Sequence, residues 1–251
     1  MLMHIQPIRT RVFVENEDIV SFMKEHVPVL PEKSILAITS KIVALAEGRT
    51  EIIHSDKERE ELIRRESQWM MRMPFTWLTI KDGTVMASAG IDASNANGKI
   101  ILLPENSFVS AELIRAKLKE HFKITDLGVI ITDSRLLPLR RGVTGVALGY
   151  AGVKGLRDYR GTKDIYGREL KLSRTDIADG LATSAVVEMG EGSEQIPLVL
   201  ITDARVEFTE KTDRNELVMN PKDDVYAPLF RNIDDATKHW GTNDAGSDPA
   251  S

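Results

Sequence analysis

Hydrophobic and polar positions along this chain follow two rhythms, and the switches between them mark out its elements. Ile19, Phe22, Met23 and His26 fall at helical spacing, so residues 17–26 are predicted as a helix. The run at 34–39 is short, apolar and β-branched, as a buried strand requires. A charged helix is predicted from Asp56 to about Arg72, ended by Pro74, and then a hairpin of 76–80 and 84–89 around the Asp82-Gly83 turn. Residues 100–103 continue as a strand up to Pro104. Leu113, Ile114, Leu118 and Phe122 give 110–122 an amphipathic helix, which feeds a strand at 127–132. That strand places Asp133 at its C-terminal end, where open α/β sheets bind ligands. The last helix is predicted from Ser173 or Arg174 to Met189, stopping at Gly190, before a final strand at 197–201.

Two stretches break the rhythm. From Gly142 to Gly167 seven glycines fall in twenty-six positions, so the backbone there turns often or approaches something closely. Beyond Phe230 the chain ends in Gly, Ser, Asp, Asn and Ala, which cannot bury enough apolar surface to order itself. The expected organisation is one catalytic domain over 1–230 and an unstructured tail over 231–251. Alternating helices and strands predict an α/β (mixed α+β) fold.

Composition narrows the function. With 251 residues, 42% hydrophobic and 28% charged, the chain is an ordinary globular one. No apolar run spans a membrane and no secretory leader opens the chain, so a cytoplasmic protein is expected. Zero cysteines exclude disulfides and thiolate metal sites, and a formal charge of −5 argues against wholesale nucleic-acid binding. His4, His26, His54, His121 and His239 show no metal-site spacing and receive no role.

What remains is oxygen chemistry. Three acidic turns stand out: Gly90-Ile91-Asp92-Ala93-Ser94-Asn95, Thr132-Asp133-Ser134, and Gly190-Glu191-Gly192-Ser193-Glu194. Hard divalent cations want oxygen ligands and bridge phosphate oxygens, while flanking glycines let backbone approach a phosphate. Each turn taken alone is better explained as a capped loop, and it is the presence of three together that points to a site. Arg135, Arg140 and Arg141 surround the Asp133 turn, and Arg157, Arg160, Lys163 and Arg168 stud the glycine-rich stretch. They suit a multiply anionic substrate, or else form surface ion pairs with Asp158, Asp164 and Glu169.

In combination these segments resemble the coenzyme F420-0:L-glutamate ligases, which add γ-linked glutamates to a deazaflavin precursor. The resemblance runs from about residue 8 to 205 and is carried by Thr39-Ser40-Lys41-Ile42-Val43, Ala46-Glu47-Gly48-Arg49, the 89–95 turn and Leu103-Pro104. It continues through 131–134, 141–149, Asp158-Tyr159-Arg160-Gly161, 164–168, Ala178-Asp179 and Met189-Gly190-Glu191. It implies an α/β homodimer and GTP-dependent (or ATP-dependent) amide formation with Mg²⁺ or Mn²⁺. By that likeness Asp92, Asp133, Ser134 and Glu191 hold two divalent cations. Nucleotide contacts fall to Thr10, Arg11, Val12 and Phe13, to Ser40, Lys41 and Asn95, and to Met189, Gly190, Gly192, Ser193, Glu194, Gln195 and Ile196. Arg140 and Arg141 are the candidates for holding the acceptor or the incoming glutamate.

The chain departs from the family pattern in two places, and it is identified as a divergent, bacterial-type member. Ala44 and Leu45 stand where relatives carry a second serine and lysine, and residues 135–138 lack the usual Gly-Arg-Pro. The acceptor expected is F420-0. The alternatives are a folate tail lengthened by the same chemistry, or a nucleotide- and metal-binding regulator that has lost turnover.

Overall fold

The structure, a computed structural model, describes residues 2–220 and 222–230. The tail expected at 231–251 lies outside the described residues. In chain order the elements are β1 (His4–Ile8), α1 (Ile19–His26), β2 (Ser34–Thr39), α2 (Ser40–Ala46) and β3 (Thr50–Glu51). Then come α3 (Asp56–Glu66), β4 (Trp69–Arg72), β5 (Trp77–Lys81), β6 (Thr84–Ala87) and β7 (Ile100–Ile101). They are followed by α4 (Ser107–Phe122), β8 (Leu127–Leu136), β9 (Val143–Ala151), β10 (Leu156–Asp158), β11 (Arg174–Asp176), α5 (Ile177–Met189) and β12 (Leu198–Thr202). The described residues divide into two compact units, one of 2–53 with 90–217 and the other of 54–89 with the described residues from 218 to 230.

The larger unit is built on a five-stranded mixed sheet ordered β1-β12-β2-β8-β9, in which β2 and β8 run parallel and the other neighbours antiparallel. Both faces of its central strands are apolar, so each face needs a cover. One face presents Leu36, Ile38, Val129, Ile131 and Leu200 to Phe22 and Met23 of α1, Ile42 and Val43 of α2, and Ile114 and Leu118 of α4. The other presents Ile35, Ala37, Ile130 and Val199 to Ala178, Leu181, Ala182 and Ala185 of α5. The helices α5 and α4 are held by their ends. Asp176 accepts the amide of Asp179 at the start of α5, and Gly190 terminates it at φ 74°. Asn106 caps α4 by accepting the Val109 amide.

The glycine-rich stretch is not a succession of turns throughout. Its first part is β9, an edge strand against which α4 and α5 pack, and its glycines are there for close approach. A Cβ on Gly149 would lie 2.4 Å from the Ser107 carbonyl carbon, and one on Gly145 would lie 2.5 Å from the Ala182 oxygen. The turns come afterwards, in the 156–176 arm formed by β10, β11 and the loop between them.

The smaller unit packs α3 beside the antiparallel meander β4-β5-β6, with Leu62, Ile63, Ile80 and Met86 buried. The helix predicted to reach Arg72 stops at Glu66. Ser67 is extended and its hydroxyl donates to the freed Ile63 carbonyl at 2.7 Å, while 69–72 pair with 77–80 as a strand. Strand pairing outweighs the helical spacing of the charged run. Two boundaries in the larger unit are also corrected. Residues 174–176 pair with β10 and leave α5 to begin at Ile177. β8 runs on through Asp133 and Ser134 to Leu136, paired to β9 across a bulge at Ile131/Thr132. Asp133 and Ser134 are therefore strand residues and not a turn. Against β2, however, the parallel pairing ends at Thr39↔Thr132, so Asp133 still stands one residue beyond the C-terminal end of that pair.

Candidate functional site

Where β2 ends, α2 begins without a break, which places Ser40 and Lys41 beside the same end of β8. Ser40 is buried, and its hydroxyl donates to Asp133 Oδ1 at 3.4 Å. Lys41 Nζ reaches across to the 90–95 loop, with Asp92 Oδ2 at 2.8 Å and the Ser94 carbonyl and hydroxyl each at 3.0 Å. Asp92 is fixed by its backbone, which exchanges both hydrogen bonds with Ile101. Its carboxylate accepts the Ser94 amide at 2.6 Å and the Ser94 hydroxyl at 2.8 Å. The next residue, Asn95, sits at φ 54°, a conformation Asn tolerates, and donates to the Gly192 carbonyl at 3.0 Å. Glu191, one residue back, accepts from the Ser134 hydroxyl at 2.5 Å.

These contacts close a ring. α2 is tied to the 90–95 loop, that loop to the 190–195 loop, the 190–195 loop to β8, and β8 back to α2. Asp92, Asp133, Ser134, Glu191, Ser40, Lys41 and Asn95 all lie on it. The nearby strand end is pinned as well, by the Thr10 amide on the Gln195 carbonyl at 2.9 Å and the Thr39 amide on the Pro197 carbonyl at 3.0 Å. Within the loop, the Gly192 amide donates to Glu194 at 2.8 Å.

The two aspartates are electrically distinct. Burial pushes the Asp133 carboxyl up, and the charge of Asp92 adds to that, although Arg135 and the Ser134 amide pull it back. At Asp92 burial again pushes upward, but Lys41 and the Ser94 groups prevail and hold its carboxyl below the ordinary aspartate value. Each aspartate is neutralised by a cation of the chain itself, Lys41 for Asp92 and Arg135 for Asp133. The donor set of carboxylates and a hydroxyl suits a hard divalent cation. Among the described residues, however, no three His, Cys, Asp or Glu side chains gather around one point.

Not every expected contact joins the ring. Arg11 forms ion pairs with Glu17 and Glu25, Val12 is exposed, and Phe13 is core, edge-to-face with Phe22 at 4.9 Å. Met189 is buried against Thr132, Ile196 packs on the α5 face, and Ser193 is exposed. Arg140 and Arg141 are exposed on the β8–β9 connection, away from the ring's hydrogen bonds. Ala44 and Leu45, the departures from the family pattern, are accounted for by packing: Ala44 is fully buried and Leu45 lies against it with Ala96 and Ile101. Arg135 is the residue that sequence reasoning undervalued. It is 6% exposed and bonded to Asp133, and the signal for it was available, because residues i and i+2 of a strand share a face.

The sequence model of the family described as F420-0:Gamma-glutamyl ligase matches residues 7–203. A Coenzyme F420:L-glutamate ligase of Methanococcus maripaludis is 39% identical over 217 residues, covering 85% of this chain and 86% of that protein. One from Methanopyrus kandleri is 35% identical over 219 residues, 78% and 86% of the two chains. One from Methanocaldococcus jannaschii is 45% identical over 148 residues, 58% of each. These relatives are archaeal and lend no support to a bacterial-type assignment. No helix among the described residues is long and apolar enough to cross a membrane.

Proposed function

The chain belongs to the F420-0:gamma-glutamyl ligase family, and from that premise we propose that it joins L-glutamate to the terminal carboxylate of F420-0, using a nucleoside triphosphate. The observation that supports this most is the closed ring, which brings four segments far apart in sequence to one place with hard-oxygen side chains on each. The names of the relatives favour a deazaflavin acceptor over folate.

The chemical problem is that a carboxylate resists attack by an amine, its charge and resonance making it a poor electrophile. In this reading the γ-phosphoryl group of GTP (or ATP) passes to a carboxylate oxygen of the acceptor, releasing the nucleoside diphosphate. The glutamate amino group then attacks the acyl carbon, the amide bond forms, the C–O bond to phosphate breaks, and the amine proton leaves with phosphate or solvent. Asp92, Asp133, Ser134 and Glu191 would hold Mg²⁺ or Mn²⁺, which supplies neutralisation of phosphate charge when bound. Lys41, next to Ser94 and Asp92, is placed to meet phosphate oxygens, and the Gly190 and Gly192 backbone permits close approach of a nucleotide. Arg140 and Arg141 are exposed at the mouth of the β8–β9 connection, where they meet an anionic substrate arriving from solvent. No covalent nucleophile is needed, so the residues contribute positioning and charge. A homodimer belongs to the same reading.

The test is mass spectrometry of products after incubation with L-glutamate, Mn²⁺, F420-0 or a folate monoglutamate, and GTP or ATP. A mass increase of one glutamyl residue on F420-0, with equimolar phosphate release, is expected. Nucleotide binding without any product on either acceptor would favour the regulator instead.

A further inference from the structure

Arg135 is used along only one edge. Its Nη1 donates to Asp133 and, at 3.3 Å, to the Ser134 carbonyl, whereas Nε and Nη2 are buried and have no hydrogen-bond partner among the described residues. Nearly all buried donors in proteins are paired, so two adjacent unpaired ones on a charged group call for a reason. Nε–H and Nη2–H lie side by side on the same flank of the guanidinium plane and point in parallel. That is the fork that grips both oxygens of a carboxylate.

Among the described residues none supplies that carboxylate. Asp133 is already on Nη1, and Asp179, the other acid whose charge Arg135 influences, is committed elsewhere. Asp179 takes the Ala147 amide at 2.8 Å on Oδ1 and is hydrogen-bonded to Asp176. Resting on the ligase reading above, whose substrates are both carboxylates, we propose that the Nε–Nη2 edge of Arg135 is a carboxylate-binding element of the site. It receives the carboxylate of the incoming amino acid or that of the γ-glutamyl end of the acceptor. Placed on the residue that also orients Asp133, the fork couples substrate recognition to the ring. Because the edge is closed to water, a carboxylate bound there is held at low dielectric, where the pair is strong.

The test follows the Arg135 Nε–H resonance of the full-length protein, identified by its loss in Arg135→Lys, during titration with L-glutamate and with γ-L-glutamyl-L-glutamate. Both titrations are run with and without Mg²⁺ and a non-hydrolysable GTP analogue. The resonance is expected to move with one of the two probes, which names the source of the carboxylate. In turnover, Arg135→Lys should raise the KM of that substrate on the order of 10- to 100-fold, and by a larger factor than it raises the KM for nucleotide. A resonance that ignores both probes, or that moves with the GTP analogue alone, overturns the assignment. If the wild-type protein makes no glutamyl product and yet the resonance moves, carboxylate binding stands and the ligase reading falls. Turnover with an unresponsive resonance means the reverse.

Discussion

Two regions of this protein are written in the same alphabet of Asp, Arg, Ser or Thr, and Gly, and they behave differently. In the ring, the hydrogen bonds of Asp133 to Ser40, Glu191 to Ser134 and Gly192 to Asn95 cross 93, 57 and 97 residues of sequence. In the 156–176 arm, Asp158 is bonded to Arg160 two residues on, and Asp164 accepts the amides of Tyr166 and Arg168, two and four residues on. The arm's acids organise their own loops, and their contacts would survive with little else of the fold. The ring's acids are brought together by the sheet, which leaves Asp92 and Asp133 half-buried and sets their charges against one another. Composition is shared, so the capacity for chemistry comes from topology.

The comparison breaks most sharply at Asp133. Asp133→Asn removes the negative charge that faces both Arg135 and Asp92, and turnover should fall on the order of 10³-fold, as for loss of one pre-organised electrostatic contact at a reacting centre. Product formation measured beside the far-UV circular dichroism of the variant checks it, since the fold should persist. Next come two glycines, one on β9 beside the ring's strand β8 and one in the arm. Gly149→Ala drives a Cβ into the backbone of α4 and should cost about 3 kcal/mol in urea unfolding. Gly161→Ala meets open space and pays only for its φ of 78°, about 1 kcal/mol.

A smaller effect is expected where the arm joins α5. Burial, reinforced by Asp179 and Glu216, pushes the Asp176 carboxyl up to about 6. With a folded value above the unfolded one near 3.8, the folded state holds a proton that the unfolded chain has lost between those values. The stabilisation is therefore full below pH 4 and lost as pH rises through 6. Asp176→Asn still caps the helix and should abolish that slope, gaining about 1 kcal/mol at pH 7 after allowing for solvent screening. A thermal melting series from pH 4 to 8 reads it. The smallest effect belongs to Asp158→Asn, which should leave both the melting temperature and turnover within error, because its ion pair is local and solvated.

How much of this was legible in the sequence differs between the elements. β2, α4 and the hairpin at 77–87 follow from their periodicity, because apolar spacing and turn residues agree there. β9 was hidden because its glycines, which are there to admit α4 and α5, read as loop residues. The end of α3 was hidden because 69–72 pair with residues that no local rule identifies. In the site, three oxygen-bearing segments were visible as acidic turns, yet that they meet depends on parallel pairing of β2 with β8, which is set by the whole sheet. Arg135 and Arg140 look alike in sequence, and only the continuation of β8 to Leu136 separates the buried one from the exposed one.

The claim that the ring is a single site is tested most directly by counting Mn²⁺ bound to the protein with a GTP analogue, by electron paramagnetic resonance. The wild-type protein should bind Mn²⁺ only when the nucleotide is present, and Asp92→Asn and Asp133→Asn should each weaken that binding at least about tenfold. Unchanged Mn²⁺ binding in both variants, with the fold intact, would contradict the account.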